Sequence, residues 1–259
     1  MKYAKKSLGQ NFLTDKNIIE KIVNLSSIYN QNIFEIGPGN GALTEEILKK
    51  NPKSLSVIEK DFDLAEKLKK KYLGNKIVKV FSGDILKFNI EKILNKNSVI
   101  FGNLPYNISS QILVKFLKFN HWPPKFKELI FMFQKELGEK IIGKFSTSNY
   151  GRISILSNYR LDIMNKFFVS PNCFFPRPKV TSMVIKFKPK KQKINLNLNN
   201  LEKITQIFFS NKRKMINKNI HRLLSKKNID KISNLNVRLR PSDLQPEIYY
   251  KITKLYERD

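Results

Sequence analysis

Over its first two-thirds the chain alternates short β-like runs with stretches of helical apolar periodicity. This alternation argues for a parallel sheet with helices on both faces. Ile33-Phe34-Glu35-Ile36 reads as a first strand ending at glycines, and Leu43, Ile47 and Leu48 stripe the following helix. Ser56-Val57-Ile58, Ile77 to Phe81, Val99-Ile100-Phe101 and Leu129 to Phe133 repeat the strand pattern. Helices are predicted from Leu64 to Tyr72 and from Ser109 to Phe119, and Asp15 is placed to cap one carrying Ile18, Ile19, Ile22 and Val23. Val180 to Phe187 alternates as the final strand, with Phe167 to Val169 its predicted hairpin partner. From Pro189 to Lys193 the composition shifts to Lys, Gln and Pro, a linker pattern; beyond it the stretches 201–210, 213–226 and 246–256 are helical. Two domains are therefore expected, one over residues 1–190 and a small all-helical one over residues 191–259, whose thin core would lean on the larger.

The formal net charge of +28 points to a polyanionic partner, most commonly nucleic acid. Combined enrichment in Lys, Asn and Ile, as an AT-rich genome produces, accounts for part of the excess. Residues 1–188 carry 32 Lys and Arg against 15 Asp and Glu, and residues 189–259 carry 17 against 6, so the tail is denser in positive charge. Charge alone does not separate RNA from DNA or from an anionic membrane. No apolar run is long enough to span a bilayer, and the basic, polar start lacks the apolar stretch of a signal peptide. The single cysteine, Cys173, excludes an internal disulfide and fits a reducing cytoplasm; with His121 and His221 far apart, no metal site is expected.

Glu35-Ile36-Gly37-Pro38-Gly39-Asn40-Gly41 lies between a strand and a helix, where alternating glycines let the backbone turn sharply and approach a ligand. The spacing differs from the dinucleotide fingerprint, whose third glycine would fall at Ala42. Glu59 closes the second strand, where a carboxylate can accept from both ribose hydroxyls, and Asp84 follows the third, where it can accept from an adenine amine. Each acid alone is an ordinary loop residue. At successive strand ends beside the glycine loop, they describe a pocket for an adenosine-containing cofactor.

Asn103-Leu104-Pro105-Tyr106 ends the fourth strand and indicates the reaction. The exocyclic N6 of adenine is a poor nucleophile because its lone pair is delocalised into the ring. The Asn103 side-chain oxygen and the Leu104 carbonyl can each accept one N6 hydrogen, drawing the nitrogen toward tetrahedral geometry; Pro105 stiffens the loop and Tyr106 stacks on the base. A methyl already activated on the sulfonium of S-adenosylmethionine suits such a site.

In these residues the chain resembles the small-subunit ribosomal RNA adenine N6-dimethyltransferases. The resemblance runs through Leu8 to Leu13, Glu35 to Thr44, Val57-Ile58-Glu59, Gly83-Asp84, Phe101 to Ser109, Phe131 to Glu136, Tyr150-Gly151-Arg152, Phe174 to Val180 and Phe209 to Lys214. It implies a Rossmann-like α/β fold, a seven-stranded class I S-adenosylmethionine-dependent methyltransferase sheet with a C-terminal helical domain. It further implies that Asn11, Leu13, Gly37, Gly39, Glu59, Asp84, Ile85 and Asn103 surround the cofactor, and that Tyr106 and Phe174 sandwich the flipped adenine. Phe175, beside Phe174, competes for that last role. The implied reaction is dimethylation of two adjacent adenines in the 3′-terminal hairpin loop of 16S rRNA in the 30S subunit, with a part in subunit biogenesis. Two departures stand out: the extension ahead of Gly9-Gln10-Asn11 is short, and Arg177 replaces a proline of many relatives and reads as an additional phosphate contact.

In the tail, Lys212, Arg213, Lys214, Lys218 and Arg222 are candidate RNA contacts, and Lys214, Lys218 and Arg222 at i, i+4 and i+8 predict one basic stripe on a helix. Two other readings use the same features. One is a large-subunit (23S) rRNA adenine methyltransferase of the macrolide-resistance kind; the Leu104 and Gly9 to Leu13 forms favour the small-subunit type. The other is a catalytically silent assembly factor, which would not need Glu59, Asp84 and Asn103 to Tyr106 intact. A cytoplasmic monomer is expected.

Overall fold

The computed structural model describes residues 5, 8–192, 194–233 and 235–258. Most of the basic start and Lys193 of the linker lie outside them. The chain forms two compact units, residues 1–138 with 163–189, and residues 139–162 with 190–259.

The first unit is built on a seven-stranded sheet. In chain order its elements are β1 (Phe12–Leu13), α1 (Lys16–Val23), β2 (Asn32–Ile36), α2 (Ala42–Lys49), β3 (Ser54–Glu59), α3 (Phe62–Lys71), β4 (Val78–Ser82) and α4 (Ile90–Ile93). β5 (Ser98–Asn103), α5 (Ser109–Leu117), β6 (Phe126–Gln134) and α6 (Lys135–Ile141) follow. After α7 (Arg152–Arg160), the chain returns through β7 (Leu161–Val169), β8 (Phe174–Phe175) and β9 (Ser182–Pro189). The sheet order is β4-β3-β2-β5-β6-β9-β7, and β1 pairs with β8 as a separate two-stranded ribbon.

Strands β2 to β6 are mutually parallel, whereas β9 runs antiparallel to β6, so the sheet is mixed rather than wholly parallel. The parallel strands are nearly continuous apolar runs because they are covered on both faces; Leu55, Val57, Val99, Ile100 and Phe101 are buried. Each such side chain contributes about 1.5–3 kcal/mol of burial. Asp15 caps α1 by accepting the Ile18 N–H at 3.0 Å, which orients Ile19, Ile22 and Val23 into this core.

The parallel register aligns the carboxyl ends: Ile36 lies between Ile58 and Gly102, and Glu59 lies opposite Ser82. β2 has β3 on one side and β5 on the other, so the chain direction across the sheet reverses there, and a crevice opens beyond its end. That reversal positions the site.

The second unit holds α7, α8 (Leu198–Phe209), α9 (Asn217–Leu223), α10 (Lys226–Asp230) and α11 (Pro246–Tyr256). It is not produced by a single cut after residue 190, because residues 139–162 join it. Tyrosines bind the two pieces: Tyr150 Oη donates to the Leu244 carbonyl at 2.9 Å, Tyr250 Oη to Ile155 at 3.2 Å and Tyr159 Oη to Ile194 at 2.8 Å. These rings are large apolar bodies whose hydroxyls each find a partner, which enlarges the thin core the tail alone would have.

Candidate active site

Gly37, Gly39 and Gly41 all adopt positive φ, at 66°, 58° and 86°. At Gly39 the lack of a side chain is also a spatial requirement: a Cβ there would stand 2.8 Å from Cδ1 of Phe12. The N-terminal segment therefore crosses directly over the glycine loop. Gly39 N–H donates to Glu59 Oε2 at 3.0 Å, and Asp61 N–H to Oε1 at 2.9 Å. Burial pushes the Glu59 carboxyl above its ordinary range, and the Asp61 and Gly39 amides pull it partly back. The Lys60 N–H also acts on this carboxylate, which keeps part of its acceptor capacity for a hydroxyl donor.

Asp84 is held differently. Its Oδ1 accepts the Leu86 N–H at 2.9 Å and its Oδ2 pairs with Lys60 Nζ at 2.9 Å. Lys60 keeps this carboxyl below its usual range, against the opposing effect of partial burial. Ile85, next to it, is buried in the wall.

Asn103 is the last residue of β5, and its Nδ2 donates to the Asn11 carbonyl at 3.1 Å. Leu104 folds its side chain back over Gly102, where a Cβ would meet Leu104 Cδ2 at 2.5 Å, so Leu104 is buried and anchors the loop. Ser109 Oγ donates to the Tyr106 carbonyl at 3.1 Å, and the Tyr106 hydroxyl bonds Ser182.

One cavity is lined by Asn11, Leu13, Gly37, Gly39, Glu59, Asp84, Ile85, Asn103, Leu104, Pro105 and Tyr106. The structure thus brings the residues expected around a cofactor and the tetrapeptide onto one cavity. Phe174 is not on that lining; it is 4% exposed and packs with Leu13, Val169 and Cys173 in the core, while its neighbour Phe175 is 52% exposed. The β1–β8 register explains this, since Phe174 faces Leu13 and Phe175 faces Phe12.

The basic residues of the tail are exposed in the second unit, but the predicted single stripe is corrected. α9 begins at Asn217, so Lys218 and Arg222 share a helical face while Lys214 lies in the bend before it. Arg177 is exposed in the loop after β8.

Three residues at or beside the site were given no role of their own from sequence. Glu35 is buried at the end of β2, accepts the Thr44 hydroxyl at 2.6 Å, and is pushed up to about 8 by burial. Its signal was present, an acid inside an apolar strand just ahead of the glycine loop. Lys60 and Asp61 follow Glu59 and belong to no motif that would mark them. Among the described residues no group of three or more His, Cys, Asp or Glu could hold a metal ion.

A model of the ribosomal RNA adenine dimethylase family matches residues 1–258. The chain belongs to that family. A protein of Pelagibacter ubique named ribosomal RNA small subunit methyltransferase A is 46% identical over 98% of this chain and 97% of its own length. A protein of the same name from Mycoplasmopsis synoviae is 42% identical over 85% of this chain and 83% of its own. Among solved structures, a dimethyladenosine transferase from Plasmodium falciparum matches with a TM-score of 0.77 and 27% identity, over 95% of this chain and 98% of that one. The 23S rRNA methyltransferase ErmE matches with a TM-score of 0.68 over 95% of this chain and all of that one, but at 21% identity it speaks to fold alone. As a member of the dimethylase family the chain is an rRNA adenine dimethyltransferase with a class I methyltransferase fold, as its motifs imply.

Proposed function

We propose that this dimethylase transfers methyl groups from S-adenosylmethionine to the exocyclic amines of two adjacent adenines in the 3′-terminal hairpin loop of 16S rRNA in the 30S subunit. The observation that carries this reading is the placement of Asn103 to Tyr106 on the same cavity as Glu59 and Asp84. It joins a base-handling loop to a nucleoside pocket.

The residues present fit the donor. At Gly37 a Cβ would meet only the Asn103 carbonyl, at 3.6 Å, so the main chain there is open to a ligand; Glu59 lies on the lining as an acceptor for ribose hydroxyls, and Asp84 is an ionised acceptor for an adenine amine. The bound donor supplies a methyl group already activated on sulfur. What the protein adds is positioning: Asn103 Oδ1 and the Leu104 carbonyl take the two N6 hydrogens, and Tyr106 holds the flipped ring. Phe174, buried in the core, would have to turn out to complete a sandwich, whereas Phe175 beside it is exposed. Lys212, Arg213, Lys214, Lys218 and Arg222 would hold RNA phosphates, with the first unit binding donor and the second binding RNA.

We further read the enzyme as a monomer acting in the cytoplasm beside its ribosomal substrate; among the described residues no helix is long and apolar enough to cross a membrane. The test is incubation with unmethylated 30S and, separately, 50S subunits and a labelled methyl donor, with mapping by mass spectrometry. Dimethylated adenines in the 16S 3′ hairpin are expected. Label confined to 23S rRNA, or none at adenine N6, would overturn the reading.

A further inference from the structure

The reaction as described uses Tyr106 but not the group that holds it. Tyr106 Oη and Ser182 Oγ lie 2.6 Å apart, joining the Asn103 to Tyr106 loop to the first residue of β9. Ser182 is buried and is not on the cavity lining, so it can reach a bound base only through Tyr106. Its position follows from the sheet. Asn103 pairs with Met132 across β5 and β6, Gln134 lies two residues further along β6, and Ser182 is opposite Gln134. Lys135 N–H donates to the Thr181 carbonyl at 2.9 Å and closes the strand pair at this point. Ser182 is therefore fixed by the same sheet that fixes Asn103.

A half-buried phenol needs a hydrogen-bond partner, and Ser182 provides it for Tyr106. The Tyr106 carbonyl is held by Ser109, so the residue is clamped at its main chain and at its ring tip. A ring fixed at both ends offers a stacking platform already at one angle.

We propose that Ser182 is a positioning residue for the target adenine, setting the plane of the Tyr106 ring against which the flipped base stacks. The proposal rests on the reading of Tyr106 as the stacking residue given above.

The experiment compares Ser182→Ala, Ser182→Thr, Tyr106→Phe, Tyr106→Ala and the double variant Ser182→Ala/Tyr106→Phe on unmethylated 30S subunits. Ser182→Ala should lower kcat about tenfold, the loss of one buried hydrogen bond expressed in the transition state, with the affinity for S-adenosylmethionine unchanged. Ser182→Thr, which keeps the hydroxyl, should recover most of that loss. Tyr106→Phe should match Ser182→Ala, and the double variant should be no worse than either single one, because each removes the same bond. With 2-aminopurine at the target position of a hairpin RNA, stacking on Tyr106 should quench emission less in Ser182→Ala than in the parent enzyme.

Multiplying losses in the double variant, or an unchanged kcat in Ser182→Ala, would overturn the assignment. Should Ser182→Ala fail to fold, Tyr106→Phe and Ser182→Thr decide it: a full-rate Tyr106→Phe enzyme sinks the idea. Tyr106→Ala separates the two layers. If it retains turnover, the stacking role of Tyr106 is wrong; if it is inactive while Ser182→Ala is normal, only the role of Ser182 is wrong.

Discussion

Asn103 donates its side-chain N–H to the main-chain carbonyl of Asn11 at 3.1 Å. The bond orients the carboxamide, since its nitrogen is committed to the N-terminal segment and its oxygen is left for an amine. Asn103→Asp keeps the size and one acceptor but sets a carboxylate oxygen against the Asn11 carbonyl. Turnover should fall by about a thousandfold, in the range of removing a preorganised transition-state contact. Donor affinity by calorimetry should change only a few-fold. Asn103→Ala should behave alike. Turnover near the parent rate in either variant would remove Asn103 from the chemistry.

Glu35 makes a claim about pH. Its folded-state value is raised from 4.5 to about 8 by burial. Between those values the folded protein holds a proton that the unfolded chain has released. Stability contributed there is full below pH 4.5 and lost as the pH climbs through about 8. Glu35→Gln removes the titration and keeps an oxygen for the Thr44 hydroxyl. Melting curves from pH 5 to 8.5 should fall more steeply for the parent than for the variant. Glu59, also raised by burial, should leave the variant a residual slope of the same sign. Equal slopes would show that Glu35 is ionised throughout.

What could be read from sequence followed from how much each residue type reports its surroundings. The inner parallel strands were legible because burial on both faces makes them nearly continuous apolar runs, and the acids at the strand ends then stood out: Glu59 and Asp84 fell on one cavity with the glycine loop. β7 showed only its last three residues, because Asp162, Asn165 and Lys166 interrupt an edge strand that is exposed through most of its length. The placement of residues 139–162 with the tail was not legible either. α7 buries Ser154, Ile155, Leu156, Ser157, Tyr159 and Arg160 around its circumference, so no single apolar face pointed to a partner. Phe174 and Phe175 are chemically equal in sequence, and only the pairing of β8 with β1 sends one inward. For Lys214 the i, i+4, i+8 spacing suggested a helix that starts three residues later.

The exposed cations of the second unit lead to a salt prediction. If Lys218 and Arg222 on α9, with Lys212, Arg213, Lys214 and a neighbour, meet about six phosphates, RNA affinity should fall roughly a thousandfold between 50 and 200 mM salt. Neutralising Lys214, Lys218 and Arg222 together should reduce the slope of log affinity against log salt by about 2.7, with donor binding unaffected. A filter-binding titration over that salt range measures both. An unchanged slope in the triple variant would show these side chains to be solvated rather than phosphate-bound.

Asp61 connects the N-terminal segment to Glu59 on the cavity and makes the strongest case for that segment as a cover. Its Oδ1 receives Lys5 Nζ at 2.9 Å, its Oδ2 receives Gln10 Nε2 at 2.9 Å, and its own N–H donates to Glu59. Burial raises the Asp61 carboxyl, but the hydrogen bonds from Lys5 and Gln10 outweigh it and hold the group below its ordinary range. Asp61→Asn keeps Oδ1 for the α3 cap at Asp63 while turning an amide nitrogen toward the Gln10 amide nitrogen. Gln10 cannot simply flip, because its Oε1 already accepts the Lys5 main-chain N–H at 2.8 Å. The segment carrying Gln10, Asn11 and Phe12 should then lift more readily from Gly39. The expected result is faster dissociation of S-adenosylmethionine, with affinity about fivefold weaker from the loss of one charge-assisted bond, and a melting temperature close to the parent's. Stopped-flow release of the donor reads this directly. Release at the parent rate would mean that Phe12 stays over the glycine loop without the Asp61 tether, and the cover would then owe its closure to the β1–β8 pairing alone.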